Sequence, residues 1–462
     1  MAAPTTARIA APVLHPLLGG RSWESEDGAT LTAVDGGELA DVRQAPPLLA
    51  QIALRRAAES AGAALPDEFL ARAGRLFAEE VLEGESPAEY CRRVALASGV
   101  PYAVPERALR HIGAGLAGAG AAVAAELPAP LAHPRHEVRW VRRGRTLGVV
   151  APSNHPEPHL AWARAIALGY GVVVRPGGRD PFTPLRLARA LYAAGLPEGR
   201  LSVLPGGHDT AEFLVKHADR ALVYGGPDTV ARWSGRDTVA LRGPGRSKVL
   251  LCGGADRAAI AHTAYTVLAD GGVRCTNTSV VLTTEDVHQV ADALAAELAA
   301  HAPRPVLDPL AQLPAFLPAQ ARRLAAEVGR LTAASLRHHP STAGGPDGTV
   351  ELPDGSHTLP PVVLSTTDPG RPEVGTELPF PFVVVAPWLP REGTDRLRDS
   401  LVLTLLGAVG DLPEQLVAEP TVRRLVIGVG DPWASAPGLP HDGSLGQFLL
   451  EPKAVIHPEV HP

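Results

Sequence analysis

The chain has 462 residues, of which 45% are hydrophobic and 20% are charged, a composition typical of a soluble globular protein. This length exceeds what a single hydrophobic core usually supports, so we expect two or three domains. The net charge of −6 shows no basic excess. We therefore expect neither nucleic acid nor an anionic membrane surface as a partner.

Cysteine and histidine spacing gives no sign of a disulfide framework or a metal site. Cys91, Cys252 and Cys275 are far apart and form no Cys-x-x-Cys pair or Cys/His cluster at zinc spacing. Two histidine pairs also lack partner ligands at metal spacing: His133/His136 and His338/His339. The N-terminus lacks a basic region followed by an apolar stretch, and no apolar run approaches the length of a membrane span. These features predict a cytoplasmic protein.

The first part of the chain is turn-rich to about residue 45 and then becomes helical. Helical periodicity extends from Pro46 to about Leu127. Within it, Ser86 before Pro87 is typical of a helix N-cap followed by proline at the first helical position. Alternation of polar and apolar residues over 136–142 predicts a strand.

Strands then alternate with helices. The pattern predicts strands at 147–150, 172–174, 201–204 and 221–224, with helices at 161–168 and 184–194. This spacing predicts a doubly wound parallel sheet, in which ligands bind at the carboxyl ends of the strands. A second α/β block starts with a strand at 248–251 and extends to about residue 427, with helices at 258–268 and 287–300 around a strand at 279–282. Residues 301–360 give no clear prediction, and 448–456 is a possible last strand.

Cys275 is the most informative single residue. It ends the run Gly271-Gly272-Val273-Arg274-Cys275, in which the glycine pair permits a tight bend and leaves room for a ligand beside the thiol. The neighbouring Arg274 favours the thiolate, which is the nucleophilic form. The alternative is that Cys275 is a small buried hydrophobic residue, as most cysteines are.

Eight short motifs follow one another along the chain, at 148–156, 174–176, 194–199, 203–206, 223–226, 241–247, 272–275 and 377–381. Each is weak alone, but together they extend over most of residues 50 to 445. In this order they resemble motifs of the aldehyde dehydrogenase superfamily: the strand and Pro-Trp-Asn-Phe-Pro loop, Val-Lys-Pro, Ala-Gly-Leu-Pro, Val-Val-Pro-Gly, Phe-Thr-Gly-Ser, Leu-Glu-Leu-Gly-Gly-Lys-Ser, Gly-Gln-x-Cys and Glu-Ile-Phe-Gly-Pro.

This resemblance implies an α/β fold of the aldehyde dehydrogenase type. Its parts are a Rossmann-type parallel-sheet cofactor domain, an α/β catalytic domain and a small oligomerisation element. We assign residues 1–127 and 146–247 to the N-terminal helices and the NAD(P)-binding domain, 248–437 to the catalytic cysteine domain, and 128–145 with 438–462 to the oligomerisation strands. The resemblance further implies a homodimer or homotetramer joined through those strands.

The resemblance also implies a mechanism in which Cys275 attacks a carbonyl carbon. The side-chain amide of Asn154 and the Cys275 N–H would hold the developing oxyanion. The alternative for Asn154 is an Asx-turn that caps the following helix. Glu377 matches the family glutamate that binds the nicotinamide ribose, and its alternative is a surface carboxylate. His155 replaces a family aromatic residue, so it either lines the substrate tunnel or packs a loop.

Arg242 is the main departure from the family pattern, because it stands where the family has its general-base glutamate. Without that base, activation of a hydrolytic water is impaired. Branches that lack it transfer acyl groups to or from thiols or phosphate, among them CoA-acylating aldehyde dehydrogenases, the fatty acyl-CoA reductases of bioluminescence and glutamyl phosphate reductase. We therefore expect NADPH-dependent reduction of an activated carboxylate, such as an acyl thioester, to an aldehyde through acyl-Cys275. Arg242 would pair with an anionic substrate or with the Cys275 thiolate.

Two alternatives stay open. One is a conventional NAD(P)-dependent aldehyde dehydrogenase that activates its water with another group. The other is a catalytically inactive relative, which the presence of both Cys275 and Asn154 disfavours. The expected substrate is a small molecule whose activating group is CoA, a carrier protein, phosphate or adenylate. The Ala-, Arg-, Gly- and Pro-rich composition indicates a GC-rich genome, and such a genome together with the unusual site fits a specialised biosynthetic pathway such as antibiotic formation.

Cofactor choice depends on the segment after residue 174. Gly178 stands where NAD-preferring members carry a ribose-binding glutamate, and Arg175 and Arg179 flank it. Arginine suits a 2′-phosphate, so we expect NADP, with NAD as the alternative. Under that alternative Arg179 is solvated and Arg175 contacts only the pyrophosphate or ribose hydroxyls. The full set of expected cofactor-binding residues is Pro152, Ser153, Arg175, Pro176, Gly178, Arg179, Gly206, Gly225, Gly226, Gly243 and Glu377.

Overall fold

The computed structural model describes residues 11–129, 135–334, 336–341, 348–407 and 410–457. His133 lies outside these ranges. The helices are α1 Pro47–Ser60, α2 Asp67–Glu79, α3 Pro87–Ser98, α4 Ala103–Ala117, α5 Ala119–Ala125, α6 His159–Ala167, α7 Phe182–Ala193, α8 His208–His217, α9 Pro227–Trp233, α10 Arg257–Leu268, α11 Val287–Leu298, α12 Pro318–Ala333, α13 Leu412–Val417 and α14 Leu445–Leu449.

The strands follow the same order along the chain. They are β1 Val13–Leu14, β2 Leu17–Leu18, β3 Arg21–Ser22, β4 Gly28–Thr32, β5 Glu38–Arg43, β6 His136–Arg142, β7 Thr146–Val150, β8 Gly171–Arg175, β9 Leu201–Val203, β10 Arg220–Tyr224, β11 Val239–Arg242, β12 Ser247–Leu251, β13 Thr278–Thr283, β14 Arg337–Pro340, β15 Val350–Glu351, β16 His357–Thr358, β17 Val362–Ser365, β18 Phe382–Pro387, β19 Leu403–Leu406, β20 Leu425–Ile427 and β21 Leu450–Ile456.

The first large sheet has the order β11-β10-β7-β8-β9-β2-β3 and is parallel from β11 to β9. Val172, Val173 and Val174 of β8 are all fully buried, as expected for a strand covered on both faces. The chain moves from β7 to β8 on one side and returns to β10 on the other side of β7. This reversal creates a crevice at the carboxyl ends of these strands, where the loops that follow them meet.

The second large sheet has the order β14-β17-β18-β13-β12-β19-β20, and only β14 among these described strands is antiparallel to its neighbour. Helices α10 and α11 pack on one face, and residues of α12 join the hydrophobic cluster on the other. Only residues 243–246 separate β11 of the first sheet from β12 of the second. The fold class expected from the sequence, a parallel-sheet α/β block followed by a second α/β block, is confirmed.

Two distant strands form a separate antiparallel ribbon. β6 pairs with β21 in a register that joins His136 to Ile456 and Arg142 to Leu450. Both strands were predicted, but the last one begins at Leu450, because residues 445–449 form α14 with Ser444 as its N-cap. Val138 and Ile456 are exposed on this ribbon. Its role in oligomerisation stays a prediction.

The helical region shows how local sequence sets local structure. Ser86 caps α3 by accepting a hydrogen bond from the Glu89 N–H at 3.1 Å, as predicted. A Cβ on Gly74 of α2 would collide with the Gly113 carbonyl of α4, so these two helices approach closely because both positions are glycine. Within the described ranges, no helix is long and apolar enough to cross a membrane.

Two regions were poorly predicted. Residues 11–45 contain β1 to β5, whose two- to six-residue strands are separated by turns at Gly19-Gly20 and Gly36-Gly37. Residues 301–360, for which no clear prediction could be made from the sequence, contain α12 and the short strands β14 to β16. Strands this short carry too little periodicity to be recognised in a sequence.

Candidate active site

A cavity of about 1520 Å³ lies where the loops of the two large sheets meet. It brings together the four residues that the sequence proposed for chemistry or substrate contact and the one proposed for the nicotinamide ribose: Cys275, Asn154, Arg242, His155 and Glu377. Asn154 and His155 follow β7, and Arg242 ends β11. Cys275 lies between α10 and β13, and Glu377 precedes β18. Residues more than 200 positions apart in sequence therefore share one cavity.

The segment Gly271–Asn277, here called the nucleophile loop, is fixed largely by its own side chains and backbone. Asn277 accepts a hydrogen bond from the Arg274 N–H at 2.7 Å and donates to the carbonyls of Thr266 and Ala269 at 2.9 and 3.0 Å. Gly271 and Gly272 have φ of +77° and +72°, which glycine adopts without strain. The bend expected from the glycine pair is present.

The segment that joins the two sheets holds Cys275 from the other side. Ser247 Oγ donates a hydrogen bond to the Cys275 carbonyl at 3.0 Å. A Cβ on Gly245 would collide with that carbonyl, so only glycine permits this approach. Among the described contacts the Cys275 N–H donates to no other residue's backbone or side chain. The carbonyl is therefore anchored while the N–H stays available for an oxyanion.

The Cys275 thiol is half-buried and protonated at rest. Desolvation in the enclosed site and the nearby Glu377 raise its pKa to about 11, although the charge of Arg274 acts in the opposite direction. Arg274 has two carboxylate partners of its own, Asp270 and Glu157. Arg274 thus favours the thiolate, as expected, but desolvation and Glu377 outweigh it.

A buried charge cluster lies beside the nucleophile loop. Asp270 accepts ion pairs from both Arg107 and Arg274, and Glu157 lies 3.0 Å from Arg274. His155 is part of this cluster, with its Nε2 3.1 Å from Asp270 Oδ2 and its Nδ1 accepting from the Glu157 N–H at 3.2 Å. Both ring nitrogens of His155 are thus occupied. His155 therefore both lines the cavity and packs against the nucleophile loop, so the two roles considered for it occur together.

Asn154 lies directly beside the nucleophile loop. Its Nδ2 donates a hydrogen bond to the Val273 carbonyl at 2.7 Å, 119 positions away in sequence. The following helix α6 has no side-chain N-cap, so the Asx-turn alternative is not observed. A primary amide carries two N–H groups, and among the described contacts the second one has no acceptor, so it can donate to a ligand oxygen. The geometry suits an oxyanion donor.

Arg242 does not pair with the thiol. Its Nη1 donates a hydrogen bond to the Asp442 carbonyl and lies 3.3 Å from Asp442 Oδ2. The suggestion that Arg242 pairs with the Cys275 thiolate is corrected by this contact, because the guanidinium is occupied by a carboxylate from the C-terminal segment. No other carboxylate within the described ranges lies within 4 Å of it.

His441 is a site residue that the sequence analysis missed. Its Nε2 lies 3.9 Å from Cys275 Sγ, within reach of a hydrogen bond to sulfur, and its ring is open to the cavity. The sequence carried a weak signal, since Pro440-His441-Asp442-Gly443 only partly matches the Phe-Gly-Gly run of the family that the motifs resemble. Nothing in that signal indicated contact with Cys275.

Most of the expected cofactor residues line the same cavity. They are Pro152, Ser153, Arg175, Gly178, Gly225, Gly226, Gly243 and Glu377. Pro176 is buried behind the cavity wall, and Gly206 acts indirectly, because its carbonyl accepts from Arg175 Nε at 2.9 Å. The expectation that Arg179 binds the cofactor is wrong. Its Nη1 donates to the Thr32 carbonyl of β4 at 2.8 Å, so its side chain turns away from the cavity.

The cavity lining fits a dinucleotide. Arg175 is half-buried, faces the cavity and has no described carboxylate within 4 Å, so its charge is available to a phosphate. Positions 178 and 226 have no atom within 4 Å of where a Cβ would stand, so the lining there is open. Glu377 is half-buried and accepts a hydrogen bond from the Arg246 N–H at 2.5 Å; burial raises its pKa. It is therefore not the surface carboxylate considered as its alternative.

Comparison with known proteins decides the family. The statistical model of the aldehyde dehydrogenase family matches residues 134–392, more than half of the chain. The chain belongs to the aldehyde dehydrogenase family. Within the described residues, no group of three or more His, Cys, Asp or Glu side chains is arranged to hold a metal ion.

Two solved structures are similar to this chain in fold, and one curated relative is similar to it in sequence. The fold is similar to indole-3-acetaldehyde dehydrogenase in complex with NAD+, at TM-score 0.81 and 19% identity over 96% of both chains. It is also similar to PnpE from Pseudomonas sp. WBC-3, at TM-score 0.82 and 17% identity over 97% of this chain and 99% of that one. Malonate-semialdehyde dehydrogenase 1 of Geobacillus thermodenitrificans is 30% identical over 166 residues. That match spans about a third of the relative's length, 34% of each chain.

Proposed function

We propose that this aldehyde dehydrogenase family member is an NAD(P)-dependent oxidoreductase that oxidises a small aldehyde through a thiohemiacetal on Cys275. The observation that carries the proposal is that Cys275 and Asn154 share one cavity with the open glycine loops of the first sheet. Two of the three proteins reported above also carry aldehyde dehydrogenase names, indole-3-acetaldehyde dehydrogenase and malonate-semialdehyde dehydrogenase 1. Thioester reduction, the activity expected from Arg242, receives no support from those names.

The residues of the site divide the chemistry between them. Cys275 Sγ attacks the aldehyde carbon, and the free N–H of Asn154 with the Cys275 N–H stabilises the oxygen that becomes negative. Arg175, Gly178, Gly225 and Gly226 would hold the dinucleotide, which supplies an oxidised nicotinamide that accepts hydride when bound. The product on the protein is then an acyl-Cys275 thioester.

The identity of the acyl acceptor depends on position 242. An arginine bound to Asp442 cannot activate water as a carboxylate would, so a thiol such as CoA is a second acceptor to consider. Because this acyl transfer is reversible, reduction of an acyl thioester is the same chemistry in the opposite direction. Arg242 at this position is the observation that favours acyl-thioester reduction as a second candidate function.

The test is nicotinamide reduction with malonate semialdehyde and with propanal, an uncharged aldehyde of equal chain length, each with and without CoA. We expect NAD(P)H formation that Cys275→Ala abolishes. Dependence on CoA would assign the acyl group to a thiol, and independence would assign it to water. If no aldehyde is oxidised while NADPH is consumed with an acyl-CoA substrate, the proposed function is wrong and the reductase is correct.

Cofactor preference is tested in the same assay. Arg175 and Gly178 favour NADP, whereas the orientation of Arg179 removes one of the two arginines expected to bind the 2′-phosphate. We propose that Arg175 alone provides this contact. Arg175→Gln would then raise the KM for NADP+ while leaving the KM for NAD+ within about twofold. Equal losses with both cofactors would assign Arg175 to the pyrophosphate or ribose instead.

A further inference from the structure

The resting state of Cys275 poses a chemical problem. The thiol is a poor nucleophile, and its pKa of about 11 leaves little thiolate at neutral pH. Attack on a carbonyl therefore requires a group that removes the proton from sulfur. Arg274 cannot accept a proton, and Glu377 raises the cost of a second negative charge nearby.

His441 is placed to be that group. Its Nε2 lies 3.9 Å from Cys275 Sγ, and no other side chain in the described ranges makes a hydrogen bond to this sulfur. Desolvation and the charges of Arg424, Arg242 and Arg274 lower the pKa of His441, while Asp442 acts in the opposite direction. With a pKa of about 4 the ring is neutral at neutral pH but is a weak base, so it takes the proton only as the carbon–sulfur bond forms. In the tautomer with its hydrogen on Nδ1, Nε2 carries a free lone pair.

The backbone on both sides of His441 is held by arginines. Arg424 Nη2 donates to the Pro440 carbonyl at 3.2 Å, and Arg242 donates to the Asp442 carbonyl. Arg423 Nε also lies 3.6 Å from Asp442 Oδ1. We call residues Pro440–Gly443 the clamped segment. Arg242 ends β11 of the first sheet and the other two arginines immediately precede β20 of the second, so the segment is tied to both sheets.

We propose that His441 is the base that takes the proton from Cys275, and that Arg242 positions this histidine by binding Asp442. As the carbon–sulfur bond forms, the S–H bond breaks and its proton passes to His441 Nε2. The electron pair of the aldehyde C=O bond moves to oxygen, where Asn154 and the Cys275 N–H stabilise it. The imidazolium then releases its proton to solvent in the cavity. This assignment rests on the proposed function in that Cys275 is the nucleophile.

The direct test is the rate at which iodoacetamide alkylates Cys275, followed by mass spectrometry of its peptide across a range of pH. The reagent needs neither substrate nor cofactor, and Cys91 and Cys252 are buried. We expect His441→Gln to slow alkylation at neutral pH by about tenfold and to move the rate midpoint to higher pH. His217→Gln, at an exposed histidine outside the cavity, is the matched control and should react as the wild type does.

Arg242 is tested through the same readout. Arg242→Gln should slow alkylation about threefold to tenfold, and Arg242→Lys should restore part of the rate because an ammonium can also bind Asp442. A merely structural role would lower the melting temperature without shifting the pH midpoint. If His441→Gln does not fold, His441→Asn provides the same loss of the basic nitrogen in a smaller side chain.

The outcomes separate this inference from the proposed function. Unchanged alkylation and unchanged kcat/KM in a folded His441 variant would overturn the inference while aldehyde oxidation stands. Slower alkylation in an enzyme that oxidises no aldehyde would support the Cys275–His441 pair and overturn the proposed function alone. Slower alkylation together with a kcat/KM for aldehyde lowered by about 10²-fold would support both.

Discussion

The nucleophile loop and the clamped segment meet at Cys275 but are built in opposite ways. The nucleophile loop is organised mainly by nearby residues, since Asn277 binds groups no more than 11 positions away. The clamped segment takes its position from arginines on other elements, with Arg242 200 positions away. The nucleophile loop, organised by local contacts, thus positions Cys275, whereas the clamped segment, held by contacts distant in sequence, positions His441.

This difference has a consequence for tolerance to substitution. Substitutions that remove contacts of the nucleophile loop should displace the Cys275 sulfur and the oxyanion site together, because both belong to one backbone segment. Losses at the clamp should displace His441 and leave the sulfur in place. The first kind should therefore cost more activity than the second kind.

The largest effect is expected at the oxyanion site that the nucleophile loop completes. Asn154→Ala removes the amide that contacts both the Val273 carbonyl and the cavity, and we expect kcat to fall by about 10²–10³-fold with KM nearly unchanged. Steady-state kinetics with the best aldehyde provide the measurement, and Asn154→Asp shows whether a donor is required. A fall of less than about threefold would exclude an oxyanion role.

The next largest effect is expected where the joining segment touches the nucleophile loop. Gly245→Ala places a Cβ against the Cys275 carbonyl, so the loop must shift, and a displacement of about 1 Å is expected to lower kcat/KM by about 10²-fold. Gly329→Ala, on α12 and outside the cavity, is the matched control, since a Cβ there meets nothing within 4 Å. Equal activity of the two variants would contradict the close packing seen here.

A smaller effect is expected from the clamp. Arg242→Gln and Asp442→Asn should each lower kcat/KM by about tenfold, and the double variant should lose little more than either single one. A double-mutant cycle measures this coupling. Fully additive losses would show that the two residues act independently, against the contact between them.

The smallest effect is expected from one hydrogen bond at the edge of the nucleophile loop. Ser247→Ala removes the donor to the Cys275 carbonyl, and we expect about 0.5–1.5 kcal/mol less stability and about a twofold change in kcat. Thermal unfolding with parallel kinetics measures both. A loss of activity greater than that of Arg242→Gln would show that this single hydrogen bond positions the nucleophile loop far more strongly than predicted.

The sequence carried much of this architecture. Apolar runs such as Val172–Val174 and the regular alternation of strands and helices predicted the first parallel sheet and a second α/β block, because buried strands need hydrophobic residues on both faces. Cys275 and Asn154 were also predictable, since each stands in a motif next to a strand or glycine turn. The carboxyl ends of parallel strands then bring such residues to one crevice.

Other features depend on contacts that a sequence does not display. Arg242 was recognised as unusual, but its partner Asp442 lies in a segment with no periodic pattern. Arg179 was placed on the cofactor from its position after β8, whereas the fold turns it toward Thr32 of β4. His441 contacts Cys275 only because arginines from two sheets hold the clamped segment there. Long-range side-chain direction is set by tertiary packing, and local residue patterns do not encode it.

The proposed oxidation requires that Cys275 form a covalent acyl intermediate from an aldehyde. The most direct measurement mixes the enzyme rapidly with NAD(P)+ and malonate semialdehyde without CoA, and follows nicotinamide reduction and the mass of the Cys275 peptide together. We expect a burst of NAD(P)H matched by acylation of that peptide, with both absent in Cys275→Ala. A burst that persists in Cys275→Ala, or an acyl group found on another residue, would contradict the account.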